Sequence, residues 1–296
     1  MKLLALVLGL FLERVATELL HLRELRWFDA YFDFGLALAK RARGNGFVYG
    51  LVVLLLLIPA VPVLLLSLWL LHTGVRWDLP YLIFAVLVVF LCLGPRDLGN
   101  EVHEYCSALD RGDTETANRV LIELSEAQEP DAEIDVVEDA IFVQAANRIF
   151  GVVFWFIVLG PVGAWLFRVT DLLRRRAAFE SLREPDLCVR VVPAIETTYG
   201  FLKWLPVRLA ALGYALTGSF DDASNAWRNF SLAEGVPFHT GNDRLSAAVG
   251  KAAMTGSADQ PSNSSAAARN AMRLVSRTLF IWMTLIAVMT IFGWAV

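Results

Sequence analysis

Arg208 lies in an otherwise apolar run, LKWLPVRLAAL, two residues after a proline. A guanidinium there must meet a carboxylate, a carbonyl freed by the proline, or a bound anion, because an unpaired buried charge is costly. Acids close in sequence are few, so Asp97, Asp113, Asp139 or an anionic ligand are its expected partners. A second stretch with chemical content is 136–169, VVEDAIFVQAANRIFGVVFWFIVLGPVGAWLFRV. It opens acidic at Glu138 and Asp139, turns polar at Gln144, Asn147 and Arg148, and then runs apolar. The apolar part approaches the roughly 20 residues that cross a bilayer core. Gly160-Pro161 interrupts it, since proline lacks the N–H and clashes with the preceding turn. Membrane proteins commonly build sites where a polar face leads into a broken helix. A kinked span whose glycine and proline serve packing is the simpler account of this stretch taken alone.

Other chemistries find little support. Glu101, His103 and Glu104 come nearest to a metal set, but offsets of two and one splay them to different faces of a helix. The remaining histidines are scattered, and Cys92, Cys106 and Cys188 have neither CxxC spacing nor an even count, so no zinc site or disulfide framework is expected. Residues 213–219 have the rhythm of a P-loop but end in serine where lysine belongs, with no preceding strand. The acidic segment lacks the spacing of an EF-hand calcium loop.

The elements that must position these residues are membrane helices. Fifty-six per cent of the residues are hydrophobic and the mean hydropathy is +0.53, which places the chain among membrane proteins. The net charge of −4 is segregated: residues 94–147 hold 14 Asp and Glu against Arg96, Arg111 and Arg119. Residues 1–43 read as an entry helix that becomes amphipathic and ends in Lys40, Arg41 and Arg43; His21 on it has no second ligand beside it. Residues 47–93 read as a transmembrane hairpin kinked by Pro59 and Pro62, with its turn at 72–78. In the acidic segment, LDRGD at 109–113 is a helix stop with Gly112 suited to a left-handed cap, and Asp113 then N-caps the next helix. An acidic linker follows at 126–135. Residues 148–168 form the kinked or re-entrant segment, 169–277 a mainly cytoplasmic helical segment with a flexible linker at 257–268, and 279–296 a terminal span. The positive-inside rule puts 72–78 outside, and a fold-back at Gly160-Pro161 would keep Arg168 and the Arg174–Arg176 cluster cytoplasmic. The expected fold is all-α: a polytopic membrane protein with helical cytoplasmic segments, organised as one membrane domain over 1–296.

Assembled in order, these pieces resemble the AmpE family, inner-membrane proteins of Gram-negative bacteria associated with β-lactamase induction. The resemblance is carried by LERVATELLHLRELRWFDAYF, the 47–93 hairpin, the run into VVFWFIVLGP, WLPVRLAALGYALTG, FHTGN and TLFIWMTLIAVMTIFGWAV. That family is similar in turn to the CobD/CbiB membrane enzymes of cobalamin synthesis, which form an amide using ATP. Arg96-Asp97-Leu98 resembles their RDL segment, LDRGD their L-x-x-G-D turn, WLPVRL at 204–209 their W-I-P-A-R-L, and His239-Thr240-Gly241-Asn242 their H-x-S-P-N. The acidic E-S-V-A-E-N-T-V-D-G segment of those enzymes corresponds to Asp139, Val143, Gln144 and Asn147, so two carboxylates have become neutral. Their V-N-T-L-D-S segment becomes VTDLLR at 169–174, and the Asn before W-I-P is Lys203.

A ligase needs metal–nucleotide ligands and an acid–base group, and carboxylates supply both. The resemblance with these losses implies a regulatory membrane protein, a sensor or modulator in cell-wall or β-lactam stress signalling. Arg96, Arg208, His239, Asn242 and Asn147 are expected to line a cytoplasm-facing pocket for a small anionic ligand. Implied partners are the lipid bilayer, that ligand, and a cell-wall-recycling or signalling protein, with no nucleic acid and no cofactor. The alternative is an ATP-dependent amide-forming enzyme, with a magnesium-bound nucleotide and Asp97, Asp113 or Asp139 as ligand or base. A third possibility is a purely structural assembly protein.

Overall fold

The computed structural model describes residues 2–15, 28–40, 44–72, 79–93, 97–126, 134–181, 183, 185–231, 236–255 and 264–292. Thirteen α-helices and no strand occur among the described residues. In chain order they are α1 (Lys2–Val15), α2 (Asp29–Lys40), α3 (Asn45–His72), α4 (Leu79–Cys92), α5 (Leu98–Asp110), α6 (Thr114–Ser125) and α7 (Ile134–Ala145). A π-helical turn, Ala146–Phe150, leads into α8 (Gly151–Leu159). Then come α9 (Pro161–Ser181), α10 (Pro185–Thr217), α11 (Phe220–Asn229), α12 (Phe238–Met254) and α13 (Ser264–Ile291). Arg96, His21, Arg41 and Arg43, residues 73–78 of the expected turn, 127–133 of the expected acidic linker and 257–263 of the expected flexible linker lie outside the described residues.

Among the described residues, three helical segments are long and apolar enough to cross a membrane: Gly46–His72, Val136–Leu159 and Ser264–Ile291. Their exposed residues say what surrounds them. Leu54, Leu57, Leu65 and Trp69 on α3, and Phe280, Leu285 and Ile291 on α13, are exposed over faces far larger than a water-soluble monomer presents.

The helices pack as two compact units, Met1–Pro95 with Gly151–Leu202, and Arg96–Phe150 with Lys203–Ala295. In the first, the prolines that kink the apolar helices leave carbonyls that aromatic side chains satisfy. Pro59 offers no N–H to Leu55, and the Tyr31 hydroxyl donates to the Leu55 carbonyl at 2.9 Å. Between the two kinks, Trp165 Nε1 adds a bond to the carbonyl of Pro59 itself, at 3.0 Å, one that neither proline frees. Pro206 likewise abandons the Leu202 carbonyl, and Trp155 Nε1 takes it at 2.9 Å. This is how kinked membrane helices are tolerated: a neighbour re-satisfies the freed backbone group.

At the break between α8 and α9 the chain folds back. Gly160 adopts φ +67°, a left-handed cap, and Pro161 opens α9 at the first helical position, where its missing N–H costs nothing. Gly163 then lies so close to α8 that a Cβ on it would stand 2.3 Å from the Trp155 carbonyl oxygen. The tip of this hairpin sits beside Tyr81 in the first turn of α4. Its returning arm is tied to α2 by Arg176, which grips both Asp33 oxygens at 2.8 Å. Gly163→Ala should lower stability by about 1–3 kcal/mol or more, because backbone, not a mobile side chain, blocks the methyl. Thermal unfolding in detergent checks this, and an unchanged Tm would show that the two arms can separate freely.

The second unit is built on the α5–α6 hairpin. Gly112 has φ +74°, the Asp113 amide donates to the Ala108 carbonyl at 2.9 Å, and Asp113 Oδ1 accepts from the Thr116 amide at 3.0 Å. That backbone bond holds the Asp113 carboxyl below its usual range. Phe142, Phe150 and Tyr214 form an edge-on aromatic core, which Trp282 of α13 joins. One expectation is corrected here. The composition of 257–268 predicts a flexible linker throughout, but 264–268 form the first turn of α13. Tertiary packing overrides composition: Ala267 and Ala268 are fully buried, and Ser265 Oγ donates to Asp110 at 3.0 Å.

Candidate functional site

The motifs of α10 and α12 meet side to side. Arg208 Nη1 donates to Asn242 Oδ1 and to the Trp204 carbonyl, each at 3.1 Å, and its guanidinium lies over the Trp204 ring, 4.2 Å from the centroid. Asn242 is 2% exposed, so the amide that orients Arg208 is itself fixed by packing. His239 stands one turn earlier on α12, with Nε2 3.1 Å from Thr240 Oγ1. Fully buried Lys203 is salt-bridged to Asp243, the residue after Asn242. Lys203 and Asp243 neutralise each other, whereas Arg208 has no carboxylate partner among the described residues. Partial burial pulls the Arg208 guanidinium down from its ordinary pKa, yet an arginine keeps its charge in proteins. The result is a half-buried cation, stacked on an indole and pointed by an amide.

A second polar cluster lies deeper in the same unit. Arg148, in the π turn, donates through Nη1 to Glu101 at 2.7 Å and through Nε to Gln144 at 2.9 Å. Gln144 Nε2 in turn donates to the Leu124 carbonyl at 2.9 Å and to Glu126 at 2.8 Å. The side chains of Arg148 and Glu101 are 4% and 7% exposed, so this pair is fully desolvated. Asn147 is buried beside it in sequence, and its Oδ1 accepts no hydrogen bond among the described residues.

The residues singled out in the sequence therefore separate. Arg208 and Asn242 are joined, and His239 shares the face of α12 that leads to them. Asp97 N-caps α5, accepting from the Gly99 amide at 3.0 Å; Asp113 N-caps α6; Asp139 pairs with Lys251 at 2.8 Å. None of these three is the partner of Arg208, which corrects the expectation of a distant carboxylate. The proline-freed-carbonyl idea is also modified: the carbonyl that Arg208 uses is Trp204, while Trp155 occupies the one freed by Pro206.

A model of the family described as "Regulatory signalling modulator protein AmpE" matches residues 1–296. The chain belongs to the AmpE family. It is 26% identical over 227 residues to Protein AmpE of Shigella flexneri, a match spanning 74% of this chain and 77% of that protein. It is 27% identical over 233 residues to a cobalamin biosynthesis protein CobD of Chromobacterium violaceum, spanning 71% of this chain and 72% of the relative. A CobD of Stutzerimonas stutzeri is 28% identical over 174 residues, spanning 57% of this chain but only 54% of that protein. No solved structure matches.

This AmpE-family chain also carries a cluster that sequence reasoning missed, in the other unit. Asp171 is fully buried on α9 and receives Arg168 at 2.9 Å, Arg174 at 3.1 Å and Arg175 at 3.0 Å. Burial pushes the Asp171 carboxyl up, but Arg175, Arg174 and Arg168 together outweigh it and hold the carboxyl far below the usual range. Arg174 also covers the Tyr199 ring at 5.1 Å. The available signal was the spacing: an aspartate three and four residues from arginines on one helix.

Proposed function

We propose that this AmpE-family protein is a regulatory modulator of the bacterial inner membrane. In this reading it takes part in β-lactam or cell-wall stress signalling by binding a small anionic ligand at Arg208, Asn242 and His239 on the cytoplasmic side. The observation that carries the reading is the Arg208 guanidinium, held in place by Asn242 and Trp204 with no carboxylate beside it among the described residues. Such a preorganised fork suits a carboxylate or phosphate, and a lysine cannot reproduce it. The engagement of Asp97, Asp113 and Asp139 as caps or ion-pair partners favours binding over the amide-forming alternative suggested by the CobD relatives. For topology, the fold-back at Gly160 and the Arg176–Asp33 link support an arrangement in which the Arg174–Arg176 cluster shares the cytoplasmic side with Lys40, Arg41 and Arg43.

The test is Arg208→Lys in a strain whose β-lactamase induction depends on this chain. Charged hydrogen bonds are worth about 1.5–3 kcal/mol, so ligand affinity should fall roughly 10- to 100-fold, and the response with it, while protein level and Tm hold. A normal response from a stably folded Lys variant would remove Arg208 from the site.

A further inference from the structure

We propose that a groove along α13, bordered first by α5 and then by α10, binds an anionic glycerophospholipid, its phosphate held by Arg273 and Arg277 and an acyl chain laid along Phe280. The groove has two compartments. The first, about 420 Å³, is lined by Val102 and His103 of α5 and by Met272, Arg273, Ser276 and Arg277 of α13. The second, about 450 Å³, is lined by Phe280, Ile281 and Leu216. Ser276 and Arg277 line both, so the pocket that holds Arg273 adjoins one that Phe280, Ile281 and Leu216 make largely apolar.

Among the described residues, two of the three arginines that line the first compartment have no ion pair. Arg269, Arg273 and Arg277 recur every four residues and so share one face of α13. Arg269 is held by Asp110 at 3.1 Å. Among the described residues Arg273 reaches only Asn270 Oδ1, at 3.4 Å, and neither it nor Arg277 forms an ion pair. Both are exposed, as is His103. One anion that could bridge two neighbouring guanidiniums is a phosphodiester.

The depth of the groove selects a lipid over a soluble phosphate. Phe280 is 73% exposed and begins the apolar exposed face that continues through Leu285, Val288 and Ile291. A helix rises 1.5 Å per residue, so Arg277 and Arg273 lie about 4.5 and 10 Å along the axis from Phe280. The polar layer of each leaflet is roughly 5–8 Å thick. With α13 along the bilayer normal and Phe280 at the hydrocarbon edge, the two arginines bracket headgroup depth, where basic pockets attract anionic lipid heads. A soluble anion would use the first compartment only, whereas a phospholipid fills both.

Native mass spectrometry of the full chain, extracted in detergent and titrated with phosphatidylglycerol or phosphatidylcholine, tests the proposal. The wild type should retain phosphatidylglycerol preferentially, and Arg273→Gln/Arg277→Gln should reduce that retention at least tenfold with an unchanged Tm. Equal retention of the two lipids, or no effect of the double substitution, overturns the proposal. So does displacement of bound lipid by millimolar inorganic phosphate or glycerol phosphate, which would make the groove a soluble-phosphate site. An independent arm needs no variant: phosphatidylglycerol carrying a photoactivatable acyl chain should label peptides containing Phe280, Ile281 or Leu216. Labelling confined to other helices contradicts the assignment.

Discussion

Glu101→Gln should lower the stability of the protein by about 3–5 kcal/mol, because it strands a desolvated guanidinium. Arg148 is nearly closed off from water at 4% side-chain exposure, and Glu101, at 2.7 Å, is its charge partner across 47 residues of sequence. The substitution keeps the shape of the side chain and removes only the negative charge, so the loss reports electrostatics and not packing. A paired replacement, Glu101→Leu with Arg148→Met, should recover most of the loss, since well-packed apolar groups often match a buried ion pair. Reversible unfolding of the purified protein, measured on the two single variants and the pair, gives the coupling energy directly. Additive losses in the double variant would mean that the two side chains do not act as a unit.

Asp171→Asn should be comparably damaging, by several kcal/mol, since it leaves Arg168, Arg174 and Arg175 converging on a neutral amide. The buried carboxylate is at the centre of three bonds of 2.9–3.1 Å. Its pH behaviour has a definite sign. The folded-state pKa is depressed, so its contribution is fully present above the unfolded value, near pH 4, and declines only as the pH falls toward the folded value. The wild-type cluster should thus be insensitive to pH between about 5 and 8. In Asp171→Asn the acid-dependent part of the stability curve should flatten. Retention of the same acid dependence by the variant would assign it to other carboxylates.

How much of this was legible in the sequence follows from the range over which each interaction acts. The all-α class and the presence of long apolar helices came from hydropathy, and the α5–α6 turn from Gly112 and Asp113, because these signals are local; the expected span at 79–93 is a helix of only 14 residues. The Arg208–Asn242 contact was approachable only through the resemblance, since 34 residues separate the two motifs and no periodicity links them. The Arg148–Glu101 pair was hidden for the same reason, and the π turn that aims Arg148 inward has no composition of its own. The arginines around Asp171 were seen, but as a topology signal; their shared helical face was not used. At 264–268 a serine- and alanine-rich sequence misled outright, because small residues suit both a flexible linker and the close packing of one helix on another.

The central claim is that Arg208 grips an anion. Mass spectrometry of small molecules that co-purify with the detergent-extracted protein tests it most directly, comparing the wild type with Arg208→Lys at equal thermal stability. The account predicts a carboxylate- or phosphate-bearing species bound to the wild type and lost from the variant. The same species retained by both proteins, or no anionic species on the wild type, would contradict it.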